Sequence, residues 1–339
     1  MKILISLSYY APHISGLTNC VKNLAELLAD HGDVITVLTA QHTKSLPEKE
    51  NLHGVHVLRV PYLFKLNKGF IMPALFPRAF AAVRQHEAVF VVLPQLEGFV
   101  VALFAKLLGK KVYCLYACDV TLTGSLLGNL IEHVLRFANL LTLVLSQKIV
   151  ILTHDYIQQL PFAASFKKKV VAIYPVMPTP VIKDAAQKKF EIELPKKKYH
   201  IGFLGRIAAE KGLEYLFAAI PLLQKKFGED FVIVLAGPAA IVGEIRYQTK
   251  IAPLIQQYQS YIVQIGELAE DELGAFYAAL DVLVIPSTNP TEAFGIVQVE
   301  AMLCGTPVVV SNLPGVRVPV QITGMGEVAK RKNSTDLAA

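Results

Sequence analysis

The sequence predicts an α/β fold made of two doubly wound parallel sheets. Apolar segments of strand length, such as "VITVLTA" and "FVIVLAG", alternate with segments of helical periodicity along the 339-residue chain. These strand segments are continuously hydrophobic, which is typical of strands covered by helices on both faces. With 53% hydrophobic and 18% charged residues, a chain of this length has enough apolar material for two domains.

The first half of the chain begins with the strand "KILISLSYY" and the helix "ISGLTNCVKNLAELLADHG". In that helix Val21, Leu24, Leu27 and Leu28 share one side, and Gly32 is the stop signal. The β-branched or aromatic segments "VITVLTA", "VHVLRV", "AVFVVL", "KKVYCLY" and "KIVILT" follow as further strands. The first domain is therefore predicted over residues 1–176.

A second cycle of strand, turn, helix and strand begins at Tyr199. Its first strand is "YHIGFLG", its helix is "EKGLEYLFAAIPLLQKKFG" and its second strand is "FVIVLAG". Later strands are "IVQIG", "VLVIPS" and "PVVVSN". The proline- and lysine-rich stretch "YPVMPTPVIKDAAQKKFEIELPKKK" separates the cycles, which predicts a boundary near residue 177 and a second domain over 177–339. In the final "NSTDLAA", Ser334 or Thr335 is expected to cap a helix. A parallel-sheet domain should continue beyond this point, so we expect a truncated C-terminus with at least one helix missing.

The chain is basic, with a formal net charge of +6 and a pI near 9.0. This charge suits nucleic acid, an acidic membrane surface or a phosphate-bearing ligand, but the absence of a long aromatic-laced basic stripe disfavours nucleic acid. The four cysteines show no C-x-x-C pairing, so they are predicted to be reduced and buried, which indicates the cytoplasm. No uncharged apolar run reaches the roughly 18–20 residues of a spanning helix. Peripheral association with a membrane stays open.

Two glutamates mark the segment "NPTEAFGIVQVEAMLCGTPVVVSN". A helix is expected to begin near Gly295, where unpaired amides and the helix dipole favour an anion and glycine leaves space for it. Glu292 precedes this point and Glu300 lies one to two turns inside an otherwise apolar helix, so one ligand could contact both carboxylates. Carboxylates accept hydrogen bonds from sugar hydroxyls. The alternative is two unrelated glutamates, one in a loop and one at a helix edge.

A second motif, "GFLGRIAAEKGLE", follows a strand of the second cycle. Gly205 ends that strand, and Arg206 and Lys211 lie at the carboxyl edge of the sheet, where open α/β sheets bind ligands. Two cations without a nearby Asp-rich cluster suit a diphosphate held without a metal, although solvated strand-end charges are the alternative. Gly16 in "PHISGLTN" does not belong to a G-x-G-x-x-G pattern, which disfavours a dinucleotide-dependent dehydrogenase.

These motifs, together with "YYAPHISG" and "GTPVVVSNLPG", resemble retaining glycosyltransferases of the GT-B fold, family 4 (group 1), over nearly the whole chain. The resemblance implies two Rossmann-like domains facing across a cleft, with a nucleotide-sugar donor on the C-terminal domain and an acceptor on the N-terminal domain. It implies a hexosyltransferase of cell-surface glycan or glycolipid synthesis, cytoplasmic or peripheral at the inner membrane face. No metal or cofactor is expected, because the nucleotide-diphosphate sugar is a co-substrate.

The resemblance also implies roles for single residues. Arg206 and Lys211 would hold the diphosphate, and these two residues with Glu292 would be catalytic. Glu292 and the backbone of Phe294, Gly295 and Ile296 would hold the transferred sugar and its phosphate. Gly205, Glu300 and Gly16 would complete the donor site, with Glu300 on the ribose and Gly16 approaching the diphosphate.

One position departs from the family. A histidine usually follows the strand written here as "KKVYCLY", but the sequence continues "ACDV", which places Ala117 there. Either His13 or Asp119 fills the sugar-side role, or the chain is a catalytically impaired protein that binds nucleotide sugars.

The acceptor is only weakly indicated by the sequence. The segment "FKLNKGFIMPALFPRAF", residues 64–80, mixes Lys65, Lys68 and Arg78 with aromatic side chains. It is either a lipid-facing interfacial loop or a core helix with basic flanks. A glycan and a lipid-linked acceptor are both open.

Overall fold

The fold is given by a computed structural model, which describes residues 1–66, 69–119, 126–157, 160, 163–238 and 245–339. The chain divides into two compact units, unit 1 at Met1–Met177 and unit 2 at Pro178–Ala339. Each unit contains one large, mainly parallel sheet with helices between its strands, so the predicted α/β class is confirmed.

The described part of unit 1 contains ten strands: β1 (Lys2–Ser6), β2 (Val34–Ala40), β3 (Lys49–Leu52), β4 (Val55–Val60), β5 (Phe64–Leu66), β6 (Gly69–Ile71), β7 (Ala88–Leu93), β8 (Lys111–Tyr116), β9 (Lys148–Ile151) and β10 (Val170–Ala172). Eight of them form a sheet of order β10-β9-β8-β7-β1-β2-β4-β3, and β5 and β6 form a separate antiparallel hairpin. Within the large sheet, only the pairing of the edge strand β3 with β4 is antiparallel. The strand order reverses between β1 and β7.

The described helices of unit 1 are α1 (Gly16–Asp30), α2 (Leu75–Gln85), α3 (Gly98–Leu107), α4 (Leu126–Leu145), α5 (His154–Ile157) and α6 (Ala163–Phe166). Helix α1 begins after Ser15, whose hydroxyl accepts a hydrogen bond from the Thr18 amide at 3.1 Å and so caps the helix. Helices α2, α3 and α4 are neighbours in that order. In the described part of the chain, no helix combines the length and apolar character needed to cross a membrane.

The residues of unit 2 that the structure describes form six strands: β11 (Tyr199–Leu204), β12 (Phe231–Ala236), β13 (Ile262–Gly266), β14 (Val282–Ile285), β15 (Val308–Ser311) and β16 (Gly326–Ala329). They form one sheet of order β13-β12-β11-β14-β15-β16, and every pairing is parallel. The helices of unit 2 are α7 (Asp184–Glu193), α8 (Leu213–Phe227), α9 (Ile245–Gln257), α10 (Leu273–Ala278), α11 (Ile296–Leu303), α12 (Val318–Thr323) and α13 (Ser334–Ala338).

The core of unit 2 lies on both faces of its sheet, as continuous hydrophobicity along the strands predicts. Every residue of β12 is buried. Val232 and Val234 belong to a cluster with Phe276, whereas Ile233 belongs to another cluster with Phe217. Because successive side chains of a strand point to opposite faces, the segment must be apolar at every position.

The segment at residues 64–80 is neither one loop nor one core helix. It forms the β5–β6 hairpin, followed by the start of α2. Phe70 is buried whereas Phe76 is exposed. Arg78 is anchored within the unit, because its guanidinium donates to a backbone carbonyl at 2.8 Å and pairs with a glutamate at 2.8 Å. Lys68 lies outside the described residues.

The last helix has a different cap from the predicted one. Asn333 precedes α13 and its side-chain oxygen accepts a hydrogen bond from the Asp336 amide at 2.9 Å. Ser334 and Thr335 are instead the first two residues inside the helix. Asn333 occupies the flanking position with extended backbone, so its side chain can reach back to the free amides.

The four cysteines are free, but the prediction that all are buried is wrong. Cys20 and Cys114 are buried, and Cys118 and Cys304 are half-buried. The difference follows from position, because Cys20 lies inside α1 and Cys114 inside β8, whereas Cys118 follows a strand end and Cys304 is the C-cap of α11.

Candidate functional site

The strand order of unit 2 defines where a ligand site is expected. From β11 the chain continues to β12 and β13 on one side, and β14, β15 and β16 lie on the other side. The order therefore reverses between β11 and β14. In open parallel sheets, ligands bind outside the carboxyl ends of the strands at such a reversal. The two sequence motifs with predicted roles follow β11 and β14 directly.

An ion pair joins these two strand ends. Lys211 is the last residue of a single 3₁₀ turn, Ala209–Lys211, between β11 and α8, and its ammonium contacts the carboxylate of Glu292 in the loop after β14. The Ser287 hydroxyl donates to the same carboxylate oxygen at 3.3 Å. Both charged side chains are mostly buried, with 18% and 15% of their surface exposed, so their interaction is weakly screened.

The two loops are pinned to each other by backbone contacts. The Thr288 amide donates to the Glu210 carbonyl at 2.8 Å, and the Thr288 hydroxyl donates to the Ala209 carbonyl at 3.2 Å. Gly212 has a left-handed backbone with φ of 68°, and a Cβ atom built there would lie 2.3 Å from the Pro286 carbonyl oxygen. Only glycine satisfies both conditions, so the approach of the two loops depends on it.

Arg206 does not join this ion pair. Its guanidinium pairs with Glu210 at 2.7 Å, and its side chain is 42% exposed. Sequence reasoning placed Arg206 beside Lys211 as a second cation for one anion and did not identify Glu210. The sequence did contain a signal for this ion pair, because an arginine and a glutamate four residues apart often pair in a helical turn.

Glycines line the carboxyl ends of three neighbouring strands. Gly205, which follows β11, has φ of 153°, and its amide donates to the Ala236 carbonyl at 2.9 Å. Gly237 follows β12, and a Cβ atom built there would lie 2.3 Å from the Gly205 carbonyl oxygen. Gly266 ends β13. Glycine at these positions therefore lets the backbone segments that follow the three strands approach one another closely.

Helix α11 starts where the sequence predicts. Gly295 is its N-cap residue in a left-handed conformation, with φ of 72°, and the first helical residue is the half-buried Ile296. The preceding Phe294 is buried, and its carbonyl accepts a hydrogen bond from the fully buried Gln298 side chain. The same Gln298 amide group donates to the Val316 carbonyl at 2.9 Å. Helix-start amides lack intrahelical partners, which makes this turn suited to an anion.

Glu300 is the fifth residue of α11, and its carboxylate accepts a hydrogen bond from the Tyr277 hydroxyl of α10 at 2.6 Å. Burial raises the pKa of Glu300 above its ordinary value, and the tyrosine hydrogen bond only partly offsets this effect. Burial also raises the pKa of Tyr277. The glutamate thus has the partner that its apolar surroundings require, and sequence reasoning did not identify this tyrosine.

The other predicted site residues lie in unit 1. Gly16 is the exposed first residue of α1, and Ala117 follows β8 and is buried, with 5% of its surface exposed. Asp119 accepts a hydrogen bond from the Tyr116 hydroxyl at 3.3 Å. The ring of His13 lies 4.6 Å from that of Tyr9, centroid to centroid.

A buried glutamate in unit 1 was missed entirely. Glu97 lies after the carboxyl end of β7, and its carboxylate accepts a hydrogen bond from the Ser8 hydroxyl, which follows β1, at 2.6 Å. Burial raises the pKa of Glu97. The pair stands where the strand order of unit 1 reverses, between β1 and β7. An acidic residue soon after a wholly apolar strand, in "FVVLPQLEG", was the available signal.

Metal ligands were not expected. In the part of the chain that the structure describes, no three or more His, Cys, Asp or Glu side chains form a group that could hold a metal ion.

Comparison with protein families supports a transferase domain in unit 2. Residues 184–339 match the family model described as Glycosyl transferases group 1. An uncharacterised glycosyltransferase of Methanocaldococcus jannaschii is 27% identical over 351 residues, covering 93% of this chain and 81% of that protein. A 2-deoxystreptamine glucosyltransferase of Streptomyces kanamyceticus is 35% identical over 149 residues, covering 41% of this chain and 37% of that protein.

Comparison with solved structures establishes the fold. The Anabaena protein HepE in complex with UDP has a TM-score of 0.77 at 20% identity, covering 100% of this chain and 88% of HepE. Sucrose-phosphate synthase from Thermosynechococcus elongatus has a TM-score of 0.72 at 18% identity, covering 99% of this chain and 88% of that chain. The α/β chain therefore has the GT-B architecture of two Rossmann-like domains, as the resemblance implied.

Proposed function

We propose that the chain is a retaining, metal-independent glycosyltransferase that moves a sugar from a nucleotide-diphosphate sugar to an acceptor hydroxyl. The observation that carries the proposal is the ion pair between Lys211 and Glu292, which joins the carboxyl ends of β11 and β14 just before the start of α11. The family match over residues 184–339 supports transfer, and the UDP named in the HepE structure supports a nucleotide donor. Unit 2 would be the donor domain and unit 1 the acceptor-side domain.

The donor would lie along the carboxyl edge of the unit 2 sheet. Its diphosphate would lie near the first amides of α11, where Lys211 can contact both a phosphate and Glu292. Arg206 would reach the diphosphate by exchanging its contact with Glu210, and its 42% exposure leaves it room to do so. Gly205 would allow close approach of the diphosphate to the backbone.

The transferred sugar would contact the carboxylate of Glu292, and the ribose would contact that of Glu300. Glu292 and the backbone at Phe294, Gly295 and Ile296 would contact the transferred sugar and its phosphate. Glu300 would accept hydrogen bonds from the ribose hydroxyls, since Tyr277 contacts one of its oxygens and the other can accept further bonds.

The proposed reaction depends on stabilising the negative charge that develops on the departing diphosphate. Breaking the bond between the anomeric carbon and the phosphate oxygen leaves the bonding electrons on the diphosphate, and Lys211, Arg206 and the start of α11 would stabilise that charge. The acceptor oxygen forms its bond to the anomeric carbon on the face that the phosphate leaves, so the configuration is retained. The acceptor proton passes to the departing phosphate oxygen. Fixed cations take the place of a metal ion, and no covalent carboxylate intermediate is required.

The proposal extends to the acceptor and the setting. The transferred group would be a hexose, and the acceptor a glycan or a lipid-linked sugar of cell-surface glycan or glycolipid synthesis. The chain would work in the cytoplasm or at the inner membrane face. From unit 1, Gly16 would approach the diphosphate, and His13 or Asp119 would take the sugar-side role implied at Ala117.

A thermal-shift experiment tests donor binding. A ligand that binds only the folded state raises the melting temperature, so UDP-glucose or GDP-mannose is expected to stabilise the chain. Replacing Lys211→Ala removes a charge-assisted contact and should weaken donor binding roughly 10- to 100-fold, which would abolish most of the shift. Lys225→Ala, at an exposed lysine of α8, is the matched control and should keep the full shift.

Two results would contradict the proposal. One is that no nucleotide sugar raises the melting temperature of the unaltered chain. The other is that Lys211→Ala responds to the donor as strongly as Lys225→Ala does. The second result would show that the cation lies outside the donor site even if a donor binds.

The second candidate function is a nucleotide-sugar-binding protein without turnover. It is favoured by the buried methyl group of Ala117, which offers no hydrogen-bonding group where the resemblance implies a histidine. Release of free nucleoside diphosphate in the presence of glycan and lipid-linked acceptors separates the two. A chain that is stabilised by the donor but releases none would be the binding protein.

A further inference from the structure

Helix α4 of unit 1 exposes a stripe of large apolar side chains, which an ordinary surface helix buries. The buried residues in its described part are Ala138, Asn139, Thr142 and Leu143, and of these only Leu143 is large and apolar. Its exposed side carries large apolar residues three or four positions apart. They are Leu130, Val134, Phe137, Leu140 and Val144, with exposures of 61%, 48%, 62%, 40% and 53%. An apolar stripe of about 20 Å therefore faces outward.

The orientation of α4 is fixed by its buried side. The Asn139 side-chain oxygen accepts a hydrogen bond from the Gln95 backbone amide, in the loop after β7, at 3.3 Å, and Leu143 is fully buried. The buried Thr142 and Ser146 hydroxyls donate to carbonyls of the helix itself, those of Ala138 at 3.0 Å and Thr142 at 2.7 Å, so they can be buried without other partners. Turning the helix to bury the exposed stripe would expose Ala138 and Leu143 and would break the contact of Asn139 with the loop after β7. The exposed stripe is thus a stable feature of the fold.

The neighbouring helices extend this surface. Helix α2 exposes Phe76 and Phe80 at 53% and 45%, and α3 exposes Leu103 and Leu107 at 39% and 72%. Phe80 also packs edge-on against Phe104, with ring centroids 5.6 Å apart, so the two helices share one apolar surface. We call the nine exposed residues of α2, α3 and α4 the apolar face. They are Phe76, Phe80, Leu103, Leu107, Leu130, Val134, Phe137, Leu140 and Val144.

Cations lie at the carboxyl ends of all three helices. Arg84 is in the last turn of α2 and Lys106 in the last turn of α3. The Lys110 ammonium donates to the Arg84 carbonyl at 3.4 Å, and the Lys169 ammonium donates to the Val144 carbonyl at 2.8 Å. We call Arg84, Lys106, Lys110 and Lys169 the basic rim.

Acidic residues are scarce on the same helices. In the sequences of α2, α3 and α4 the only acidic residue is Glu132, and it pairs with Arg136 at 2.9 Å. An apolar surface bordered by cations matches the boundary between acyl chains and anionic headgroups. A second copy of this chain would bring another basic rim toward the first, which costs like-charge repulsion.

We propose that the apolar face binds the surface of an anionic lipid bilayer, with its large side chains among the acyl chains and the basic rim on the headgroups. This proposal rests on the proposed function where the acceptor is a lipid-linked sugar, because a lipid-linked acceptor lies in the surface of a bilayer. The surface itself does not depend on the donor chemistry. The bilayer would cover unit 1 from outside, without any segment crossing it.

Vesicle flotation with the full chain tests the inference. The unaltered chain is expected to float with vesicles of phosphatidylcholine and phosphatidylglycerol in a 3:1 ratio, and to bind pure phosphatidylcholine at least tenfold more weakly. The double variant Leu130→Ser, Phe137→Ser should lose at least tenfold in binding to the anionic vesicles. The matched control is Ile192→Ser, Ile322→Ser in unit 2, where both isoleucines are exposed, at 83% and 63%. It should bind as the unaltered chain does.

The basic rim has its own test. Lys106→Glu should weaken binding to anionic vesicles about tenfold or more, because it removes one favourable charge and adds a repelling one. Lys188→Glu, at an exposed lysine of α7, is its control and should have a smaller effect. Raising the salt concentration from about 0.05 to 0.5 M should weaken binding of the unaltered chain.

Three results would overturn the inference. They are failure of the unaltered chain to bind the anionic vesicles, equal binding by the Leu130→Ser, Phe137→Ser variant, and a stable dimer in solution that this variant dissociates. Donor-induced melting shifts are measured on the same samples. A normal donor shift confirms that each variant is folded, and donor shifts without vesicle binding would refute this inference alone. Vesicle binding without any donor shift would refute the proposed function alone.

Discussion

Glu300 is a residue whose burial is expected to cost stability at neutral pH. Its half-buried carboxylate has Tyr277 as a hydrogen-bond partner, and desolvation by burial raises its pKa above the ordinary 4.5. The folded state therefore binds the proton more tightly than the unfolded state does. Stability is highest when Glu300 is protonated and is lost as the pH rises from about 4.5 through the raised pKa.

We expect Glu300→Gln to raise the melting temperature at neutral pH. The amide removes a desolvated charge while its oxygen still accepts from Tyr277, so the gain should be on the order of 1 kcal/mol. The gain should disappear below about pH 4.5, where the unaltered glutamate is protonated in both states. Melting curves from pH 4 to 8 measure this difference.

The control for this prediction is Glu327→Gln, at an exposed glutamate of β16, which should leave the pH profile unchanged. A Glu300→Gln variant that is less stable at pH 7 than at pH 4, relative to the unaltered chain, would contradict the account. The same variant should show a smaller donor-induced shift if Glu300 contacts the ribose.

Single residues were partly predictable from the sequence. Lys211 and Glu292 were identified because a strand end and a helix start locate them within local stretches of chain. Their mutual contact links positions far apart in the sequence, and it could be anticipated only from the expectation that both lie at one edge of the sheet. Glu210, the partner of Arg206, was missed although the spacing of four residues was visible in the sequence, whereas Tyr277, the partner of Glu300, depends on the packing of α10 against α11 and has no local signal.

At the scale of elements, the turn between β11 and α8 depends on close approach to the end of β14. Gly212 has left-handed backbone and lies against the Pro286 carbonyl, and Thr288 hydrogen-bonds to the turn that precedes Gly212. A side chain at residue 212 would push β14 and its loop away from Lys211. The position of the ion pair therefore depends on the packing of two elements as well as on its own charges.

We expect Gly212→Ala to destabilise the chain by at least about 2 kcal/mol more than Gly324→Ala does. Both glycines are left-handed, with φ of 68° and 69°, but a Cβ at Gly324 would meet nothing within 4 Å. The control therefore carries the backbone strain without the clash. The difference should appear as a melting temperature lower by roughly 4–8 °C.

Equal melting temperatures for these two variants would show that the loop after β14 moves aside without cost. In that case Gly212→Ala should still be tested for donor binding, because a displaced loop would separate Glu292 from Lys211.

Most elements could be predicted because their signals are local. The strands "VITVLTA" and "AVFVVL" appear as β2 and β7 with the expected bounds, and α11 begins after the expected glycine. The segment at 64–80 could not be assigned, since aromatic and basic residues occur equally in hairpins, loops and amphipathic helices. Here tertiary packing decides, with Phe70 buried and Phe76 exposed.

For the whole molecule, thiol reactivity gives a direct measure of correct folding. Burial raises the pKa of Cys20 to about 11 and also raises that of Cys114, whereas Cys118 and Cys304 are half-buried. A thiol reagent at pH 8 should therefore modify about two cysteines in the folded chain and four after denaturation. Cys304 should react more slowly than Cys118, because burial and the nearby Glu300 raise its pKa.

Four rapidly reacting thiols in the folded chain would show that α1 and β8 are not packed as described. Mass spectrometry of the modified peptides identifies which cysteines react. Adding the vesicles used to test membrane binding should leave Cys20 and Cys114 protected, because both are buried and neither lies on the apolar face.

The buried carboxamide of Gln298 has a consequence for the polarity of the turn at the start of α11. In a trans peptide the carbonyl and the following amide point in opposite directions. Gln298 holds the Phe294 carbonyl toward the interior, so the N–H of Gly295 in the same peptide unit must point away from Gln298. The fully buried Gln298 thereby decides that this turn offers a hydrogen-bond donor rather than an acceptor. Reversing that one peptide plane would present an oxygen to an incoming phosphate and repel it.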